Sequence, residues 1–116
     1  DGLDEVTLTT KTTVCEVDHG KINSFFIDPR HFGFSYCQKE DLVGGDPKAN
    51  AEIALRILKG EEKGPKRDIV LLNSGLCLYM AYNNITLREC IRMAAEIIDS
   101  GKALKQLEEF IQLSNE

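Results

Sequence analysis

The four cysteines, Cys15, Cys37, Cys77 and Cys90, include no C-x-x-C pair, so the usual zinc and dithiol motifs are excluded. Their expected role is that of small buried hydrophobes in a reducing cytosol. No apolar run is long enough to cross a bilayer. The longest mostly apolar stretch, Ile69 to Tyr82, has about 14 residues, against the roughly 20 that a spanning helix requires. Basic residues are neither in excess nor clustered. Fourteen Lys and Arg face nineteen Asp and Glu, a net charge of −5, and no basic patch marks a nucleic-acid surface. The pair Gly44-Gly45 precedes a helix signal but lacks the Lys-Ser/Thr of a P-loop. The first residues have neither the basic nor the apolar region of a secretion signal. Internal repeats and low-complexity segments are also absent.

What remains is a chain of 116 residues, 42% apolar, which suits one domain with a modest core. Val6, Leu8 and then Thr13 to Val17 favour extended structure. Asp18-His19-Gly20-Lys21 is a turn by composition, and Ile22 to Ile27 resumes the strand pattern. Thr12–Val17 and Ile22–Ile27 are therefore expected to pair as an antiparallel hairpin, which Pro29 ends. From Arg30 to Val43 the pattern is irregular. Phe32, Phe34 and Tyr36 alternate with small or polar residues, as in an extended segment laid on a core.

Helix signals begin at Asp46, a capping type, with Pro47 at the first helical position, where a missing N–H costs nothing. Ala49, Ile53, Ala54, Ile57 and Leu58 recur at helical spacing, and Gly60 closes that helix. Gly64-Pro65 opens the next. Its part from Ile69 to Tyr82 is apolar nearly all round, the pattern of a buried central helix. Thr86 with Glu89 three residues on is a capping box for a third helix burying Leu87, Ile91, Ala94, Ala95 and Ile98. After Gly101, Leu104, Leu107, Phe110 and Ile111 make a last amphipathic helix. Alone, the chain reads as α+β: a hairpin and extended segment over residues 1–43, and a helical part over 44–116. The hairpin's edges have no other strand here to cover them.

The stretch GGDPKANAEIALRILKGEEKGPKRDIVLLNSG, residues 44–75, resembles the C-terminal signature of the anthranilate phosphoribosyltransferase family. The likeness extends back to Gly2-Leu3-Asp4-Glu5 and forward to Ile98-Asp99-Ser100-Gly101-Lys102-Ala103-Leu104, nearly the whole chain. It implies a fragment, the last third of such an enzyme. It also implies an α/β parent domain of the nucleoside phosphorylase/phosphoribosyltransferase type, whose other strands lie outside these residues. The parent reaction would join anthranilate to phosphoribosyl diphosphate in tryptophan biosynthesis, in the cytoplasm and with Mg²⁺. A pyrimidine nucleoside phosphorylase-like enzyme shares the fold type and is one alternative. A free-standing, non-catalytic binding module is another.

Asp4 and Glu5 are the candidate metal ligands. Adjacent carboxylates in a loop offer the oxygen donors Mg²⁺ prefers, and Mg²⁺ retains waters while sharing substrate phosphates. On a regular strand the two side chains would point to opposite faces, so a shared site needs local irregularity. The resemblance implies the role: a Gly-[Leu/Met]-Asp-Glu pair helping to hold Mg²⁺ on the diphosphate. No residue here is expected to serve as catalytic acid or base. The family's glycine-rich loop and its anthranilate-binding Arg have no counterpart, so the fragment alone is expected to be inactive and, with uncovered apolar surface, to self-associate. His19 and His31 are expected to be structural or exposed. Gly44-Gly45 reads as a turn, and Asp46 as a cap. Lys63, Lys66 and Arg67 read as a solvated basic group near a helix start. Asn73 is expected to bond within the core.

Overall fold

The computed structural model describes residues 1–116. Two strands, β1 (Thr12–Asp18) and β2 (Lys21–Ile27), precede four helices: α1 (Pro47–Leu58), α2 (Pro65–Ala81), α3 (Leu87–Asp99) and α4 (Lys102–Ser114). The strands pair antiparallel, from Thr12 opposite Ile27 to Asp18 opposite Lys21. Only His19 and Gly20 lie between them, at φ 48° and 79°. Positive φ at both central residues is the tight hairpin turn whose twist matches the strands, and Gly20 enters that region without steric cost.

The pleat divides the hairpin into two faces. Val14 and Phe25 face inward and pack on the core. Val17, Ile22 and Phe26 face away from it and stay about two-thirds exposed. The segment after the hairpin is less extended than its alternation suggests. Short 3₁₀ turns form at Pro29–Phe32 and Lys39–Leu42. The first is fixed by Asp28, whose buried carboxylate accepts from the Arg30 backbone N–H at 3.0 Å and from the Arg30 guanidinium at 3.1 and 2.8 Å. Phe32 and Phe34 do lie against the core. Tyr36 stays partly exposed, with the Arg30 guanidinium 4.5 Å above its ring.

Each helix start follows local chemistry. Asp46 accepts from the Ala49 N–H at 2.8 Å, and the Asn50 side chain bridges both backbone groups of Gly45. Asp46 is thus a cap, as expected, while Gly44-Gly45 forms an irregular lead-in held by Asn50 rather than a regular turn. Thr86 accepts from the Glu89 N–H at 3.2 Å, while the Glu89 carboxylate does not return the bond, so half of the capping box forms.

The core joins Val6 and Leu8 from the N-terminal segment, Ile27 from β2, Ile57 from α1, Leu71 and Leu72 from α2, and Ile91, Ala94 and Ile98 from α3. Helix α2 is its centre at Leu72, which is fully buried, but the helix is not buried all round. Cys77 and Met80, near its C-terminal end, are exposed, Met80 at 71%. Here α3, the N-terminal segment and the 3₁₀ turn at Lys39–Leu42 pack against the helix, and its C-terminal end stays open at Cys77 and Met80. The same geometry corrects the expectation for the cysteines. Only Cys90 is buried, Cys37 is half-buried, and Cys15 and Cys77 are exposed. No helix is long and apolar enough to cross a membrane.

Candidate functional site

Asp4 and Glu5 lie before β1 in a stretch that bends rather than running as a strand. This is the irregularity that two adjacent carboxylates need if both are to reach one ion. Both residues are exposed, and burial begins immediately after them: Val6, Thr7 and Leu8 are 6%, 4% and 0% exposed. The carboxylates therefore stand at the rim of a segment that dives into the protein.

The segment is anchored at both ends. Upstream, the Asp1 carboxylate accepts from the Leu3 N–H at 3.1 Å and from the Thr9 hydroxyl, folding the loop across its own base. Downstream, the Asn73 side chain on α2 holds the backbone of Val6. Its Oδ1 accepts from the Val6 N–H at 3.0 Å, and its Nδ2 donates to the Val6 carbonyl at 2.8 Å and to the Ile69 carbonyl at 3.0 Å. Residue 6 has no strand partner, so a side-chain amide supplies both of the hydrogen bonds a partner strand would make. Leu8 is tied in turn, its carbonyl accepting from the Cys37 N–H at 3.3 Å.

Leu3 and Glu5 border two hollows. One, of about 420 Å³, lies against α2 and is mostly apolar, lined by Leu3, Leu42, Ile69 and Val70 with Asn73. The other, of about 210 Å³, is polar and lined by Thr7, Thr10, Lys11 and Thr12. No third Asp, Glu, His or Cys joins the pair within metal-binding reach. Two exposed oxygen donors suit Mg²⁺, which keeps waters and completes its octahedron with substrate phosphates. They do not amount to a closed protein cage.

The other singled-out residues lie elsewhere. His19, at the hairpin tip, is 2.6 Å from the Asp18 carboxylate and largely exposed, and His31 is exposed. Lys66 donates to the Asp41 carbonyl at 2.9 Å. Arg67 is not solvated: it is 9% exposed and pairs with Asp99 of α3 at 3.0 Å, pinning the start of α2 to the end of α3. A long side chain can turn inward when a carboxylate waits there, and residue spacing alone did not reveal Asp99 as that partner. Beside it, burial pushes the Asp68 carboxyl upward, against the opposing pull of Arg67. The Tyr79 phenol is pushed up by the neighbouring Glu16 first and by burial second.

The sequence and fold are similar to those of known proteins. Residues 1–104 match the family described as "Glycosyl transferase family, a/b domain". The chain is 66% identical over 115 residues to an anthranilate phosphoribosyltransferase of Ruminiclostridium cellulolyticum, covering 99% of this chain and 33% of that protein. It is 58% identical over 116 residues to the Endomicrobium trichonymphae protein of the same name, covering 100% of this chain and 34% of that one. The crystal structure of the Thermus thermophilus enzyme superposes with a TM-score of 0.85 at 38% identity, over 97% of this chain and 33% of that one. The Saccharomyces cerevisiae enzyme, in a structure with PRPP and Mg, superposes at 0.87 with 33% identity, over 96% and 32% of the respective chains. The chain thus spans about a third of the length of the relatives it matches. Because the family match runs through both the Asp4-Glu5 loop and the Asn73 anchor on α2, the chain belongs to the glycosyl transferase family, in its a/b domain.

Proposed function

We propose that these residues are the C-terminal third of an anthranilate phosphoribosyltransferase, a cytoplasmic enzyme of tryptophan biosynthesis that transfers the phosphoribosyl group of phosphoribosyl diphosphate to anthranilate. The observation that carries the reading is the 66% identity across 99% of the chain to a protein of that name. The yeast neighbour's structure with PRPP and Mg supports the substrate and the ion.

In this reading Asp4 and Glu5 hold Mg²⁺. When bound, the ion offsets the negative charge that develops on the departing diphosphate. The carboxylates act as ligands and move no proton. Their exposure leaves room for the diphosphate to approach, and the hydrogen bonds of Asp1 and Asn73 tie the loop at both ends. Residues 1–116 would contribute this part of the metal site. The groups receiving anthranilate and most of those cradling the diphosphate would come from the rest of the parent chain. The isolated chain should then be inactive, since most of the barrier reduction in a two-substrate transfer comes from positioning both reactants. It should also self-associate through the outer hairpin face, where Val17, Ile22 and Phe26 are exposed together.

The test is Asp4→Ala/Glu5→Ala in the full-length parent, with initial rates measured across a Mg²⁺ titration. The expected result is a fall of about a hundredfold in turnover and a weakened Mg²⁺ dependence. Unchanged kinetics across the titration would remove both residues from the site.

A further inference from the structure

We infer that Asn73 is the positioning residue for the Asp4-Glu5 carboxylates, an inference that rests on the metal-site reading above. Asn73 does not reach the carboxylates. It acts on the backbone that carries them, by closing a three-bond clamp on Val6 and Ile69.

Three observations carry this. Asn73 is the one amide side chain on α2, a helix otherwise rich in apolar residues, and it is spent on another segment's main chain rather than on solvent. Its target, Val6, directly follows Glu5, so one peptide unit separates the clamp from the second carboxylate. The clamp also links the exposed loop to the most buried part of α2: Leu72, the preceding residue, is fully buried. The bending loop inherits its position from the core through this side chain. A carboxylate pair must be preset to hold a metal, and the groups that preset metal ligands are typically worth tenfold or more in affinity.

The alternative is that Asn73 only satisfies two buried backbone groups. In that case its removal would lower stability without a specific effect on metal binding. The discriminating comparison is between Asn73→Ala and Ile98→Ala in the full-length parent. The second removes core volume from α3, and the two are compared at matched distance below their melting temperatures. Mn²⁺ serves as a paramagnetic probe, titrated in the presence of diphosphate and followed by electron paramagnetic resonance. Hydrogen exchange of the peptide containing residues 1–10 is read in parallel.

Asn73→Ala is expected to weaken Mn²⁺ binding about tenfold and to speed exchange at residues 3–8, while Ile98→Ala changes neither beyond about twofold. The KM for anthranilate should be the same in both. Equal Mn²⁺ affinities in the two variants would overturn the inference and leave Asn73 a structural residue. Asp4→Asn/Glu5→Gln is measured alongside. If it weakens Mn²⁺ binding while Asn73→Ala does not, only the positioning role falls. If it leaves Mn²⁺ binding unchanged, the carboxylate site falls and the positioning role with it.

Discussion

Gly75, in the middle of α2, looks like a site for easy stabilisation. Glycine inside a helix costs roughly 1 kcal/mol relative to alanine, so Gly75→Ala should by propensity alone gain about that much. The packing reverses the sign. A Cβ at position 75 would lie 2.5 Å from Cγ1 of Ile91, 2.9 Å from its Cα and 3.0 Å from its backbone N. Carbon atoms in contact sit at about 3.5–4.0 Å, so α3 would have to retreat by roughly 1 Å along this contact. A side chain could rotate away, but two of the three atoms belong to the α3 backbone and cannot. Overpacking of this kind costs about 1–3 kcal/mol, and the backbone contacts argue for the upper end. Set against the propensity gain, the net is about 2 kcal/mol of destabilisation. For a chain of this size that corresponds to a melting temperature lower by about 8 °C. Thermal unfolding by circular dichroism, at low micromolar concentration, reads it directly. Adding Ile91→Ala removes the Cγ1 contact and leaves the two backbone contacts. The double variant should therefore recover about 1 kcal/mol relative to the sum of the singles, and no more. A Gly75→Ala chain that melts higher than the parent would mean that α2 and α3 do not approach as closely as the structure places them.

Four further outcomes are expected. Leu72→Asp places a charge with no partner at a fully buried position and should cost several kcal/mol, about 4 or more; a melt within about two degrees of the parent would put that face of α2 in solvent. Hydrogen bonds from Arg30 hold the Asp28 carboxyl well below the usual carboxylate range, against the opposing effect of burial. A depressed carboxyl contributes stability above its unfolded value of about 3.9 and loses it as pH falls through the folded one, so the deficit of Asp28→Asn in urea should shrink below about pH 4. A deficit independent of pH would separate Asp28 from any role as a charge. Thr86→Ala deletes the α3 cap and should cost about 1 kcal/mol, seen as a lower urea midpoint at unchanged slope; an unaltered midpoint would mean that solvent caps the helix equally well. Finally, the 116-residue chain should show no loss of anthranilate fluorescence with phosphoribosyl diphosphate and Mg²⁺, and should sediment as more than a monomer; sustained turnover, or a clean monomer at micromolar concentration, would contradict the corresponding half.

Local chemistry was enough for the two strands and four helices, though not for the 3₁₀ turns at Pro29–Phe32 and Lys39–Leu42. The hairpin around His19-Gly20, the cap at Asp46, the prolines at Pro47 and Pro65 and the cap at Thr86 each depend on groups within a few residues, so the sequence carries them in full. The Asp4-Glu5 pair is different: local chemistry alone reads it as a solvated acidic end, and only the resemblance to a family motif singles it out, so its metal role stands as a proposal. The long-range pairings were not legible. Asn73 meets Val6 across 67 positions, and Arg67 meets Asp99 across 32. Nothing in the composition near Arg67 separates an inward-turned guanidinium from a solvated one. Periodicity also overstated the burial of α2. It records which side chains are apolar, whereas burial requires a partner on each side, and the elements packed on α2 leave the side bearing Cys77 and Met80 open. Cys77 and Met80 are exposed for that reason. Which strand lacks a neighbour, which amide takes its place and which face of a helix stays open are properties of the packed chain, because each depends on atoms brought close only by the fold.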